Sequence, residues 1–518
     1  MLTLERPAKL DTSEPDLRPH AVVIGSGFGG LAAAVRLGAK GYRVTVLEKL
    51  DAPGGRAYVH HRDGFTFDAG PTIITAPFLF EDLWGLCGRK MSDDIDLRSV
   101  DPFYRLVFDD GEVITCHADP ELMEQEIARV SPSDIPGYRR FMTRSREICA
   151  VGFEQMGHVP FLTLKSMIDA APQLLKLGGH RSVYGLVSSF VKNEKLRVAL
   201  SFHPLFVGGN PFDTTAVYCM ISYFERNWGV HFPMGGTGAL VNGLVGLIEG
   251  QGNRVRYNAG VSSILVENGV AKGVALADGE TLAADIVVSN ADAAFTYRNL
   301  VPASARKRWT DRKLKSVRYS MSLFVWYFGT SRKYDAVDHH TILLGPRYKG
   351  LLDDIFGSKP LAKDMSLYLH RPTATDPSLA PEGCDAFYVL SPVPHLDAPI
   401  DWARAAEPYR KAIEARLSET LLPGLSDCLA TSFVTTPQDF QDRLSSVKGA
   451  AFSLAPTLMQ SAWFRPVNRS EDIAGLYLVG AGAQPGAGLP GVLSSARIVG
   501  DLAPQAAHLE TSHVRAAR

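Results

Sequence analysis

The sequence predicts an α/β protein whose nucleotide-binding domain, built on a parallel sheet, is put together from both ends of the chain. Three observations carry this expectation. One glycine-rich strand-to-helix turn begins at Gly25, a second begins at Gly480, and the 518 residues suffice for two or three structural units sharing a large core.

The first turn is the most informative stretch. Ala21-Val22-Val23-Ile24 is a short apolar run of the kind that forms a buried parallel strand. Gly25, Gly27 and Gly30 follow at G-x-G-x-x-G spacing, with Ser26, Phe28 and Gly29 in the same loop, and Leu31 to Val35 opens a helix. Gly25 suits the tight turn, Gly27 lets the backbone approach a pyrophosphate, and Gly30 lets helix and strand lie close together. The helix N-terminus offers N–H groups and the positive end of a dipole to phosphates. Arg43 to Leu47 reads as a second strand ending in Glu48, where a carboxylate accepts from ribose hydroxyls and repels a 2′-phosphate. Strand, loop, helix, strand and acid in one unit point to a dinucleotide. Pro53-Gly54-Gly55-Arg56-Ala57 follows, either as a second cradle for the pyrophosphate or as a surface turn.

Further along, residues 63–74 read as a turn and a strand, and residues 98–118 as a hairpin turning at Asp109-Asp110-Gly111. Residues 121–204 are mostly helical, with Val183, Leu186, Val187, Phe190 and Val191 at helical spacing. A helix is expected from Thr237, its candidate cap, to about Ile248. Residues 254–289 read as strands with turns at 267–269 and 277–279, and residues 305–465 mix strands and helices. Leu476 to Val479 is another buried-strand run, followed by Gly480, Gly482, Gly486, Gly488 and Gly491 and by helical character from Ser494 to Leu502.

The run Gly475-x-Tyr477-Leu478-x-Gly480-Ala481-Gly482-Ala483-Gln484-Pro485-Gly486-Ala487-Gly488-Leu489 resembles the C-terminal signature of the bacterial-type carotenoid desaturases, with Ala483-Gln484 where Thr-His is more usual. SFHPLFVGGNPF (201–212), WGVHFPMGGTGAL (228–240), VVSNADAAFTY (287–297), FVWYFGT (324–330) and QSAWFRPVNRS (460–470) are similar to segments of that family, so the likeness spans roughly residues 20–503. It implies a Rossmann-like FAD-binding domain of the amine-oxidase/glutathione-reductase type, formed from 18–95, 228–305 and 465–510. It further implies a mixed α+β substrate domain (96–125 and 306–464) and a helical, membrane-associating subdomain (126–227). FAD would be held by Gly25, Ser26, Gly27, Phe28, Gly29, Gly30, Glu48, Lys49, Gly55, Arg56, Val261, Gly480, Ala481, Gly482, Gly491 and Val492.

The activity the resemblance implies is desaturation of phytoene, one C–C dehydrogenation at a time, through partly desaturated carotenoids to neurosporene or lycopene. Hydride would pass to flavin N5, and quinone or oxygen would reoxidise the cofactor. Arg56, His231 and Asp292 are the candidate catalytic residues, with His203 a further acid/base candidate. Rival activities are a hydroxyneurosporene or methoxyneurosporene desaturase, a flavin-dependent carotenoid isomerase and an amine oxidase; a non-enzymatic carotenoid carrier is a more distant rival.

Composition narrows the rest. A net charge of −1 gives no electrostatic case for nucleic acid. Cys87, Cys116, Cys149, Cys219, Cys384 and Cys428 lack metal-ligand spacing and read as reduced thiols. Asp338-His339-His340 and His60-His61 read as solvated loops, so no metal is expected. There is no G-x-S-x-G elbow and no H-E-x-x-H. The first nineteen residues are polar, unlike a secretory signal, and no run is long and apolar enough to span a bilayer. Residues 161–200 interleave Lys165, Lys176, Arg181, Lys192, Lys195 and Arg197 with apolar side chains. That pattern suits either a helical subdomain packed internally or one resting on the cytoplasmic face of the cell membrane. The aromatic runs 324–328 and 463–464 suit a tunnel lining or core packing equally.

Overall fold

In a computed structural model, which describes residues 16–509, the strand His20–Ile24 is the middle member of a five-stranded sheet. The order is Leu476–Leu478, Ile286–Ser289, His20–Ile24, Arg43–Leu47, Arg254–Arg256, and every pair is parallel. Val22 lies opposite both Thr45 and Val287, and Val288 opposite Tyr477, so one strand alone separates the two ends of the chain. The central strand is buried along its whole length, as a parallel strand covered on both faces must be. Helix α1 (Phe28–Ala39) begins three residues before the apolar run that announced it. It packs against α4 (Leu489–Leu502) and α3 (Thr237–Gly250) in a core of Leu31, Val35, Leu244, Leu493 and Ala496. Gly25 turns the chain at φ +90°, and a Cβ on Gly30 would stand 2.1 Å from the Gly25 carbonyl oxygen.

A second sheet of seven strands runs Leu429–Thr435, Ser322–Thr330, Asp385–Val393, Leu367–His370, His340–Leu343, Tyr104–Val107, Val113–Cys116. It is antiparallel except where His340–Leu343 meets Tyr104–Val107. Period-two alternation sends Phe324, Trp326 and Phe328 into the core beneath the helix Trp402–Thr420, so this aromatic run is packing and not tunnel lining. Residues 120–228 supply short helices, among them α2 (Leu164–Lys176), of which only Ala170 is buried.

Three local expectations need correction. The helix at 183–191 stops at Val187, because the chain turns there to reach Asn193, the cap of the next helix. Thr237 does not cap α3: its hydroxyl donates to Pro71 O, and its backbone N–H donates to the Asp68 carboxylate at 2.9 Å. His339 and His340 are not on a solvated loop; both are buried, and His340 begins a strand of the second sheet. All six cysteines are unpaired. The polar segment before residue 16, read as lacking a secretory signal, lies outside the described residues, as does residue 510.

Candidate active site

A cavity of about 850 Å³ runs between the two sheets. One part is lined by main chain from the glycine turns: Gly25, Gly27 and Gly29 of the first, Gly491 of the last. Phe28, Ala481, Val261 and Val492 complete that wall. Glu48 and Lys49 lie at its edge, and Gly55 and Arg56 close its floor.

The polar groups here are held from behind. Ser26 does not reach the cavity: its N–H and hydroxyl both donate to Glu48 Oε2, at 2.9 and 2.6 Å, and Leu50 N–H donates to Oε1 at 2.9 Å. Glu48 is thereby aimed while keeping acceptor capacity for a sugar hydroxyl. Lys49 Nζ is tied to Asp442 O and the Ser445 hydroxyl. Arg56 is half-buried, with Nε donating to Ala451 O at 2.6 Å and Nη2 to the Ser446 hydroxyl at 2.8 Å. Burial holds its pKa below the usual guanidinium value, against the pull of the nearby Asp292 carboxylate. Asp292 Oδ1 caps the turn at 293–295 through Ala294 and Phe295 N–H, whereas Oδ2 is buried in the cavity wall without a hydrogen-bond partner among the described residues.

Other sequence candidates lie elsewhere. Gly30, Gly480 and Gly482 stand behind the cavity wall, where their lack of a side chain lets neighbouring segments pack. His231 sits on a strand paired with Leu97–Val100, away from the cavity lining. His203 Nε2 meets Glu225 Oε2 at 3.1 Å, and only Glu225 reaches the cavity.

The remainder of the cavity is a long apolar passage. At one end Val159, Leu175, Leu458 and Met459 both line it and face solvent, Met459 being 65% exposed. At the other, Leu351, Leu352 and Ile355 line it while fully buried. Phe464 lines the passage, but Trp463 does not.

This chain is matched by the model for flavin containing amine oxidoreductases over residues 28–501. It is 50% identical to a neurosporene-forming phytoene desaturase of Cereibacter sphaeroides over 492 residues, covering 94% of this chain and 95% of that one. It is 50% identical over 484 residues to a lycopene-forming phytoene desaturase of Pseudescherichia vulneris, covering 93% and 98%. Among solved structures, a triple mutant of putrescine oxidase superposes with a TM-score of 0.62 at 13% identity, covering 93% of this chain and 98% of that one. The chain belongs to the flavin-containing amine oxidoreductase family.

The family's cofactor is FAD, and the cavity suits it on its own evidence. Backbone from two glycine turns leaves room for a pyrophosphate, Glu48 faces outward as an acceptor, and the orphaned Asp292 Oδ2 needs the hydroxyl that a ribityl chain provides. Sequence reasoning missed several wall residues of this flavin-containing oxidoreductase. Asn290, whose amide packs on Gly27, Gly29 and Gly480, stood within a family-like segment without a role. Thr72 lies in the stretch 63–74, which reads in the sequence only as a turn and a strand. Tyr368 and Tyr388 carry no local signal, because the second sheet brings them together from separate strands.

Proposed function

We propose that the chain is an FAD-dependent phytoene desaturase of the bacterial type, removing hydrogen stepwise from a colourless C40 polyene to give neurosporene or lycopene. The observation that carries the reading is the passage itself: an apolar channel open at an apolar mouth, running past the flavin cradle to a closed apolar end. Such a channel suits a long hydrocarbon without polar handles. The identities of 50% with desaturases of both product types support the substrate class.

FAD supplies the two-electron acceptor. The chain's own residues do the rest. Apolar walls hold the polyene extended and exclude water, so that positioning and not polar recognition selects the reacting bond. Arg56, half-buried and fixed by two hydrogen bonds, would offset the negative charge that a reduced cofactor carries. Quinone or oxygen then accepts the electrons.

The mouth is the proposed contact with the membrane surface, on its cytoplasmic face. Leu164, Ile168 and Leu175 of α2 are exposed, at 48%, 61% and 55%, beside Met459, while Lys165 and Lys176 stand at the ends of the same helix. No helix among the described residues is long and apolar enough to cross a membrane. An interfacial helix that admits lipid-dissolved substrate fits these observations. Supplying phytoene in liposomes to FAD-loaded protein, with quinone or under air, tests the reading: longer polyene bands support it, and an unchanged polyene refutes it.

A further inference from the structure

Desaturation removes two hydrogens as a hydride and a proton, and the proton needs an acceptor in a passage that excludes water. Several polar side chains border that passage; Tyr218, Tyr348 and His180 are among them, but no hydrogen-bonded chain to a second titratable group is seen behind them among the described residues. Asp292 sits in the flavin cradle, within reach of the charges of Arg56 and Arg465. Both carboxylate oxygens of Glu225 are taken, one by the Tyr104 hydroxyl at 2.7 Å and the other by His203. Thr72, Tyr368 and Tyr388 form a cluster at the junction of cradle and passage.

Sheet register builds this cluster. His340 pairs with His370, and His370 with Tyr388, so the three stand side by side on adjacent strands, with Tyr368 two residues from His370 on the same face. Thr72 Oγ1 lies 2.6 Å from the Tyr388 hydroxyl and 3.3 Å from that of Tyr368. The Tyr368 hydroxyl lies 2.7 Å from His340 Nδ1, which is 3.4 Å from His370 Nδ1. Thr72 also continues the segment Ala69-Gly70-Pro71, which lines the cavity and packs on the Arg56 carbonyl. A hydrogen-bonded path therefore leads from the edge of the flavin cradle to two fully buried imidazoles.

We propose that Tyr368 and Tyr388, linked through Thr72 and backed by His340 and His370, accept the proton released in each desaturation. The proposal rests on the reading of the chain as a phytoene desaturase. One C–H bond gives up its hydrogen with the electron pair to FAD. On the neighbouring carbon the C–H pair becomes the new π bond, and the proton passes to the Tyr368 oxygen as the phenol's own proton moves to His340 Nδ1. Quinone or oxygen, which takes two electrons and two protons, later removes it. A carbon next to an electron-deficient centre is strongly acidic, so the acceptor needs position more than basicity.

The surroundings agree. Burial holds His340 and His370 well below the usual imidazole range and raises the tyrosine hydroxyls, so the imidazoles are neutral acceptors and the phenols keep their protons. The groups facing the pair are the His339 ring, bonded to Thr375, the Tyr104–Glu225 pair and the apolar ring of Phe232. Beyond His339 lie Arg371, which is paired with Asp385, and the Asp338–Arg105 bridge. Nε2 of His339, His340 and His370 has no hydrogen-bond partner among the described residues, and burial beside one another disfavours a lasting charge on these rings, so His340 holds the proton only in passing.

The test compares wild type, Tyr368→Phe, Tyr388→Phe, the double variant and His340→Gln, each loaded with FAD and mixed anaerobically with phytoene liposomes. We expect the double variant to bleach the flavin about a hundredfold more slowly, with FAD affinity and phytoene retention within about twofold of wild type. His340→Gln slows bleaching less and abolishes the solvent deuterium isotope effect. In protein labelled with heavy nitrogen at histidine, the Nδ1 signal altered by Tyr368→Phe should be the one missing from His340→Gln, a readout independent of turnover. Bleaching by the double variant within about twofold of wild type overturns the proposal, and if that variant does not fold, Tyr368→Phe decides by the same criterion. Failure of wild type itself to bleach with phytoene refutes the desaturase reading instead, and the histidine signals still report the path.

Discussion

The Gln484 side-chain amide is bonded in both directions to the main chain of Phe161: Oε1 accepts from its N–H at 3.0 Å and Nε2 donates to its carbonyl at 3.1 Å. Nε2 also donates to Ala462 O at 2.8 Å. One buried side chain of the C-terminal glycine loop thus fixes both segments that border the mouth of the passage, and its amide is spent there and not on the flavin. Removing it by Gln484→Ala should cost roughly 2–3 kcal/mol, about 1 kcal/mol for each bond. Proteolysis should become faster near residues 157–164, and desaturation of liposomal phytoene should fall several-fold, with FAD affinity little changed.

Glu48 is the second test. Its carboxylate is aimed by Ser26 and Leu50 and supplies a charged acceptor to the ribose. Glu48→Ala should weaken FAD binding by roughly 10- to 100-fold, the worth of one hydrogen bond to a charged group. Titration of apoprotein followed by flavin fluorescence measures this directly.

How much of this was legible beforehand follows from where each signal resides. The two glycine turns announced the strand–turn–helix units at His20–Ala39 and Leu476–Leu502, because strand, turn and helix are each local patterns. Gln484 holding Phe161, and Asp68 holding the start of α3 across 169 residues, were invisible, since no periodicity encodes a side chain's distant partner. His339 and His340 misled for the same reason. Adjacent histidines suggest a solvated loop until His370, Tyr368 and the second sheet bury them.

Asp68 gives a pH-dependent prediction. Burial raises its pKa from the ordinary 3.8 to about 6, although Thr237 donates to it. Between those values the folded protein keeps a proton that the unfolded chain has lost, so the stability this group lends is full below about pH 4 and declines as pH rises through about 6. Asp68→Asn has no such titration. Its stability relative to wild type should therefore rise by roughly 3 kcal/mol across that window and stay level above it. Urea unfolding of both proteins at several pH values measures the difference.

The exposed face of α2 gives another. Replacing Ile168 and Leu175 with Glu puts charge where the helix would meet lipid, with α2 itself contributing only Ala170 to the core. Co-sedimentation with anionic liposomes should drop by roughly tenfold or more, since two large apolar side chains no longer leave water. Thermal stability and FAD content should stay near wild type.

The central claim is that an oily passage delivers a polyene to FAD held between the two ends of the chain. Anaerobic mixing of the flavin-loaded protein with phytoene in liposomes tests it most directly. The account predicts that the visible band of oxidised flavin fades while absorption of a longer polyene grows in step with it. A flavin that stays oxidised beside unchanged phytoene, in protein shown to retain both, would contradict it.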